Sequence, residues 1–204
     1  MLDNYLIKGL LVGLVFGVPA GAIGALTIQR SLAHGFWAGL VTGLGSSAAD
    51  ILYACIGVFG LTLISDFLLA HQTIISLVGS AFIVLLGIQI FRKKGNKVVD
   101  TERRNRLPIF FSSSFAIAIM NPATILAFFV AFSSFGIADD LSATQGVQLV
   151  VGILLGTGCW WMLLSGGVCL FRARITDTIY QRLNRVLGIL MILFGAYVGL
   201  RTLL

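Results

Sequence analysis

Charge is scarce in this chain of 204 residues. Asp, Glu, Lys and Arg together make up 11% of it, against about 25% in a soluble domain. Histidine is nearly absent as well, and His34 and His71 do not suggest a metal centre. The 3 cysteines, Cys55, Cys159 and Cys169, include no CxxC and cannot form a disulfide framework. Cys55 and Cys159 would need to lie close together to act as a dithiol relay, so a redox role is disfavoured. There is no HExxH, GxSxG or Walker A motif, and no carboxylate pair near a membrane face. These absences argue against an enzyme, and no catalytic residue, cofactor or metal is expected.

Apolar residues are abundant. They make up 58% of the chain, and the mean hydropathy is +1.00. A soluble fold of this size has too little interior to hide that much apolar surface, so the expected solvent is lipid. The expectation is an all-α polytopic membrane protein with six transmembrane helices, over Leu6–Ile28, Trp37–Gly60, Thr73–Phe91, Ile109–Phe132, Val147–Leu170 and Leu183–Leu203. Most approach the 20 residues needed to cross about 30 Å of hydrocarbon; the third is short. The first run is too long for the apolar core of a cleaved signal peptide.

The net charge of +6 comes from unevenly placed residues. Arg30 follows the first span. Arg92, Lys93, Lys94, Lys97, Arg103, Arg104 and Arg106 follow the third. Arg172, Arg174, Arg182 and Arg185 follow the fifth, which leaves only Lys8 and Arg201 for the opposite side. By the positive-inside rule both termini face outward. The cluster RKKGNKVVDTERRNR lacks interleaved aromatics, so it reads as a topology signal in contact with lipid headgroups and not as a nucleic-acid patch.

A shift of 103 residues lays Pro19 on Pro122, span two over span five and span three over span six. Three spans per half is an odd number, so the second half would enter from the opposite side. The result is a 3+3 inverted repeat with broken helices one and four, as in many secondary transporters. The chain is read as a single membrane domain, 1–204, with halves 1–91 and 108–204 joined by a basic loop, 92–107. Pro19 cannot bond the carbonyl of Val15, and Pro122 frees that of Ala118. Val18 and Asn121 are pushed away from α geometry. Freed carbonyls in lipid require protein, water or substrate as partners. Gly17 and Gly21 flank the first break and permit close approach to the backbone. A simple pair of proline kinks is the plainer alternative.

Glycines recur every four residues at Gly9, Gly13, Gly17 and Gly21, and again at Gly35, Gly39 and Gly43. The pairs Gly152 with Gly156 and Gly195 with Gly199 repeat the spacing. Such stripes let helices pack closely in lipid. Some stripes could instead face a second copy of the chain in a homo-oligomer.

Asp50, in LGSSAADILYA, is the sole ionisable residue in the middle of a span. An Asp at that depth costs about 2.5–3.5 kcal/mol on insertion scales. It should face the bundle interior or a wet cavity and take up or release protons. Ser46 shares its face one turn earlier, and Ser47 and Tyr53 lie nearby. A structural acid satisfied by serines is the alternative. Asn121 offers a donor and an acceptor beside the second break. Ser112, Ser113, Ser114, Thr124 and Thr157 are expected to bond back to their own helices. Gln89 is expected to reach only the interface. Trp160 and Trp161 could wall a cavity or face lipid.

The whole chain resembles the LysE/RhtB family of amino-acid exporters. The resemblance runs from FGVPAGAIGALTIQRSLAHGFWAGLVTGLGSSAADILYA through MNPATILAFFVAFSSF to WWMLLSGG and RLNRVLGILMILFGAYVGL. The family's proline-glycine-proline appears as Pro19-Ala20-Gly21, its span-two aspartate as Asp50, and its asparagine-proline as Asn121-Pro122. Arg30-Ser31 and His34-Gly35 also match. The resemblance implies a six-span protein of the bacterial inner membrane that exports amino acids or related small molecules on an ion gradient. Its partners would be a small-molecule substrate, protons and the bilayer, with no nucleic acid. The substrate or proton path would include Asp50, Pro19, Gly17, Gly21, Ser46, Asn121 and Pro122. A lone acid within the spans favours a neutral amino acid over a dibasic one. The alternatives are a transporter or channel for another small solute or ion, or a membrane interaction protein without flux.

Overall fold

The structure, a computed structural model, describes residues 4–17, 21–59, 70–92, 103–121, 141–172 and 176–203. All regular structure among them is helical. The helices are α1 (Tyr5–Phe16), α2 (Gly21–His34), α3 (Phe36–Phe59), α4 (Gln72–Arg92), α5 (Arg103–Ile119), α6 (Ala143–Arg172) and α7 (Asp177–Leu203). By length and apolar character α3, α4, α6 and α7 can each cross a membrane. They coincide with the expected spans two, three, five and six.

The first expected span is two helices. α1 ends at Phe16, and the Gly17 N–H bonds back to the Gly13 carbonyl at 2.7 Å. α2 then starts at Gly21, whose φ of +73° suits glycine. In the fourth span α5 ends at Ile119, just before Asn121. Pro19, Pro122 and Thr124 lie outside the described residues. Proline alone does not make a break, since Pro108 sits inside α5.

Local chemistry sets several helix ends. The Asn4 side chain accepts from the Leu6 N–H at 2.9 Å and caps α1. Ser142 and Gln145 form a reciprocal capping box at the start of α6, at 3.0 and 3.4 Å. Gly35, with φ +90°, turns α2 directly into α3, and its N–H bonds the Ser31 carbonyl at 2.9 Å. Gly35 is therefore a turn residue and not part of a packing stripe. The basic segment expected as a loop is helical from Arg103 onward.

The other glycine stripes pack within the chain. Gly9 and Gly13 of α1 lie against Gly152 and Gly156 of α6, where a Cβ on either α1 glycine would reach the partner Cα at 3.1 Å. Contacts advance in step from Gly9 against Leu149 to Gly17 against Thr157, so α1 and α6 run parallel. Thr42 against Ser114 and Tyr53 against Ile119 make α3 and α5 parallel too. α3 and α6 run antiparallel, with Ser47 beside Thr157 and Gly43 beside Trp161. α4 and α7 are also antiparallel, with Gly87 beside Gly188 and Gly195 beside Ser80. Val12, Tyr53, Ala54, Ile56, Leu149 and Ile153 form one buried cluster joining α1, α3 and α6. Leu26, Ile83, Ile117 and Met191 belong to another joining α2, α4, α5 and α7.

Candidate functional site

α3 carries most of the polar interior. Thr42, Ser46 and Ser47 are buried on it, and Asp50 is half-buried. Ser46 lies one turn before Asp50, as the spacing predicts. Ser47 is tied into a directed run of hydrogen bonds. Trp161 Nε1 donates to Ser47 Oγ at 3.1 Å, Ser47 Oγ donates to Thr157 Oγ1 at 2.8 Å, and Thr157 Oγ1 donates to the Leu154 carbonyl at 3.3 Å. Trp161 is thus an interior residue, and Thr157 does more than bond to its own helix.

One turn beyond Asp50, the Tyr53 hydroxyl donates to the Ile119 carbonyl at 2.5 Å. Ile119 is the last residue of α5, so its carbonyl lacks a helical partner. The Ala118 carbonyl, which Pro122 was expected to deprive of its helical donor, accepts from the Asn121 N–H at 3.2 Å. The structure therefore brings Tyr53 to the end of α5, beside which Asn121 follows in the chain, and Asp50 stands one turn before Tyr53 on α3. At the end of α1, Trp160 Nε1 donates to the Leu14 carbonyl at 2.6 Å. Trp160, half-buried, thus ties its indole N–H to the last turn of α1.

Gly17 joins this centre through α6: a Cβ there would stand 3.0 Å from both the Thr157 Cα and the Trp160 ring. Thr157 in turn bonds Ser47. Gly21 points elsewhere, and its Cβ would meet the Phe194 ring of α7 at 3.3 Å.

A second polar group lies at the end of the bundle where α2, α4 and α6 finish and α5 begins. Arg30 was expected in a loop after span one, but α2 continues to His34 and Arg30 is only 6% exposed. Its Nη1 donates to Thr42 Oγ1 at 3.1 Å and to the Phe110 carbonyl at 2.8 Å, and its Nη2 donates to Ser113 Oγ at 2.7 Å. The guanidinium also lies 4.7 Å from the centre of the Phe110 ring. Arg30 therefore joins α2, α3 and α5. Ser113 bonds its own helix as expected and serves Arg30 as well, while Ser114 donates across to the Thr42 carbonyl. Arg172 bonds the Leu32 and Ala33 carbonyls at 2.7 and 3.0 Å. A cavity of about 340 Å³ adjoins Arg30 and is also lined by Gln29, Gln89, Arg106 and Phe110.

Sequence reasoning left the placement of the two tryptophans open and missed Tyr53 as a carbonyl cap and Arg30 as an interior bridge. The available signal for Arg30 was Thr42 on the facing helix across a one-residue turn.

The LysE type translocator family matches residues 14–202. The chain is 28% identical to the Bacillus subtilis protein named "Putative amino acid efflux protein YcgF", over 96% of this chain and 95% of the relative. It is 30% identical to the homoserine/homoserine lactone efflux protein of Salmonella typhimurium, over 94% of this chain and 92% of the relative. It is also 27% identical to the chemotactic transduction protein ChpE of Pseudomonas aeruginosa, over 87% of this chain and 88% of the relative. No solved structure matches the chain significantly.

Proposed function

From the premise that this chain belongs to the LysE type translocator family, we propose that it is a secondary exporter of amino acids or closely related small molecules, driven by proton entry. The observation that carries the reading is the position of Asp50, half-buried one turn from the Tyr53 that holds the end of α5. An acid at mid-bundle beside a helix end can exchange a proton or a substrate ammonium. The helix end supplies backbone groups for the substrate's other charges, as broken helices do in other transporters.

Six crossings and an inverted repeat are part of this proposal. α1 ends at Phe16 and α5 at Ile119, which are 103 residues apart. α1 pairs in parallel with α6, and its counterpart α5 pairs in parallel with α3. α3 with α6 and α4 with α7 are the antiparallel pairs expected between corresponding spans. Rocking one half against the other would expose Asp50 alternately to each side. Arg30, Arg106 and Arg172 gather at one end, which by loop charge is the cytoplasmic one. The location proposed is the bacterial inner membrane.

The names of the relatives support an amino-acid substrate, and the lone acid at mid-bundle favours a neutral one. Growth of a host on inhibitory amino acids, with and without the gene, tests this. Relief by neutral amino acids is expected. Selective relief of lysine or arginine toxicity overturns the substrate preference. Absence of any substrate-dependent proton flux in proteoliposomes overturns the exporter.

A further inference from the structure

We infer that the cavity beside Arg30 is a loading site that captures the carboxylate of the amino acid before it reaches Asp50; this rests on the exporter reading above. Arg30 is buried, yet each of its three hydrogen-bond acceptors is neutral: Thr42, Phe110 and Ser113. A buried cation normally requires an opposite charge. Of the five N–H donors of a guanidinium, these three bonds leave Nε–H and one hydrogen on Nη2. Each of these donors can meet a carboxylate oxygen.

The cavity suits such a ligand. Its volume of about 340 Å³ lies at the low end of the roughly 300–1,000 Å³ typical of small-molecule sites. Among the described residues no acidic one lines it, whereas a second guanidinium, Arg106, does. Gln29 and Gln89 add amide groups, and Gln29 is 4% exposed with its side chain unbonded among the described residues. Phe110, Leu86 and Ile90 provide an apolar wall for the ligand's side chain.

The site is separate from Asp50. Thr42, which Arg30 bonds, precedes Asp50 by eight residues of continuous helix, or about 12 Å. The carboxylate and ammonium of one small amino acid cannot reach across that span. Arg30 would therefore act first, at the cytoplasmic mouth, and Asp50 later. The buried guanidinium of Arg30, with neutral partners among the described residues, favours molecules with a carboxylate.

The test is direct binding to the full-length protein in phosphatidylcholine nanodiscs. The probes are L-homoserine, L-alanine, L-threonine and L-leucine, each paired with its carboxamide, which keeps the shape and the ammonium but removes the carboxylate charge. Wild type is expected to prefer the bound acids over their amides by about tenfold or more. Arg30→Lys, which retains charge but loses the fork, should reduce that preference to about threefold or less. Gln29→Leu, which disturbs no bond of Arg30, should weaken acid binding while leaving amide binding unchanged. Should Arg30→Lys fail to fold, the wild-type ratio and Gln29→Leu decide the matter. Equal binding of acid and amide by wild type overturns the loading site, as does an unaltered ratio in the folded variants. Loss of the preference when phosphatidylglycerol is added identifies a lipid-headgroup site and also overturns it. Absence of binding by every acid and amide overturns the exporter reading itself.

Discussion

The Tyr53 hydroxyl reaches the Ile119 carbonyl at 2.5 Å and fastens the middle of α3 to the last turn of α5. A comparable bond has Trp160 of α6 hold the Leu14 carbonyl near the end of α1 at 2.6 Å. In each case an aromatic side chain from a parallel neighbouring helix satisfies a carbonyl left over by a helix end. The two positions do not coincide under the 103-residue shift, so the likeness lies in the solution and not in the residue. α1 is thereby tied to α6 and α5 to α3.

Tyr53→Phe keeps the ring and removes the bond. The Ile119 carbonyl then has no hydroxyl partner at a partly buried helix end. The expected loss of stability is about 1–2 kcal/mol, with a slower export rate in an otherwise folded protein. Trp160→Phe should behave similarly through Leu14. Unfolding in mixed detergent micelles reads the first effect and counterflow in proteoliposomes the second. Unchanged stability and rate in both variants would remove the pinning role.

The α1–α6 contact depends on the absence of side chains. A Cβ at Gly13 would stand 3.1 Å from the Gly156 Cα and press on the Ile153 backbone. Gly13→Val is therefore expected to destabilise the fold by about 1–3 kcal/mol through overpacking. Because Gly13 and Gly156 share one contact, adding Gly156→Val should cost less than its separate effect. Denaturation of the two single variants and the double variant measures this. Strict additivity would place the two glycines in independent contacts.

The parts of the fold that depend on hydropathy were readable from sequence. α3, α4, α6 and α7 stand close to their expected ranges because long apolar runs leave few alternatives in lipid. The end of α1 near Pro19 follows from the chemistry of proline and glycine. The extent of α2 was not readable in that way: Arg30 and His34 look like loop residues until a facing helix supplies Thr42 and the Phe110 carbonyl. The same holds for Trp160 and Trp161. Their apolar rings fit lipid or core equally well, and only the positions of Ser47 and Leu14 in space bury Trp161 and tie the half-buried Trp160 to α1. For Asp50 the sequence supplied the position on α3, while the bond of its neighbour Tyr53 to the end of α5 depends on the parallel pairing of α3 and α5.

Topology offers a prediction independent of chemistry. Reporters fused at residues 1 and 204 should both be found outside, and one inserted beside Lys97 should be found inside. The basic residues Arg30, Arg106 and Arg172 at one end of the bundle motivate this orientation. Accessibility to a membrane-impermeant thiol reagent at introduced cysteines checks it. A cytoplasmic C-terminus paired with an external N-terminus would require an odd number of crossings and would remove the inverted repeat.

Asp50 gives the sharpest prediction. It is half-buried on α3, with no hydrogen bond to any described residue, between the Ser47–Thr157 link and the Tyr53–Ile119 link. Those two links do not use the carboxylate, so they should persist when it is altered. Asp50→Asn keeps the shape and removes both the titratable proton and the negative charge. Insertion of a charged Asp at mid-membrane costs about 2.5–3.5 kcal/mol, so the variant should be at least as stable as wild type. A structural acid would instead be missed by the fold. In proteoliposomes the variant should lose proton-driven accumulation, because no proton is exchanged at the central site. Counterflow without net proton movement should continue with weaker affinity, since the amide still offers an oxygen to an ammonium. A variant that still concentrates substrate against its gradient at the wild-type rate would show that Asp50 does not couple the two fluxes, and the proton-driven mechanism would fail with it.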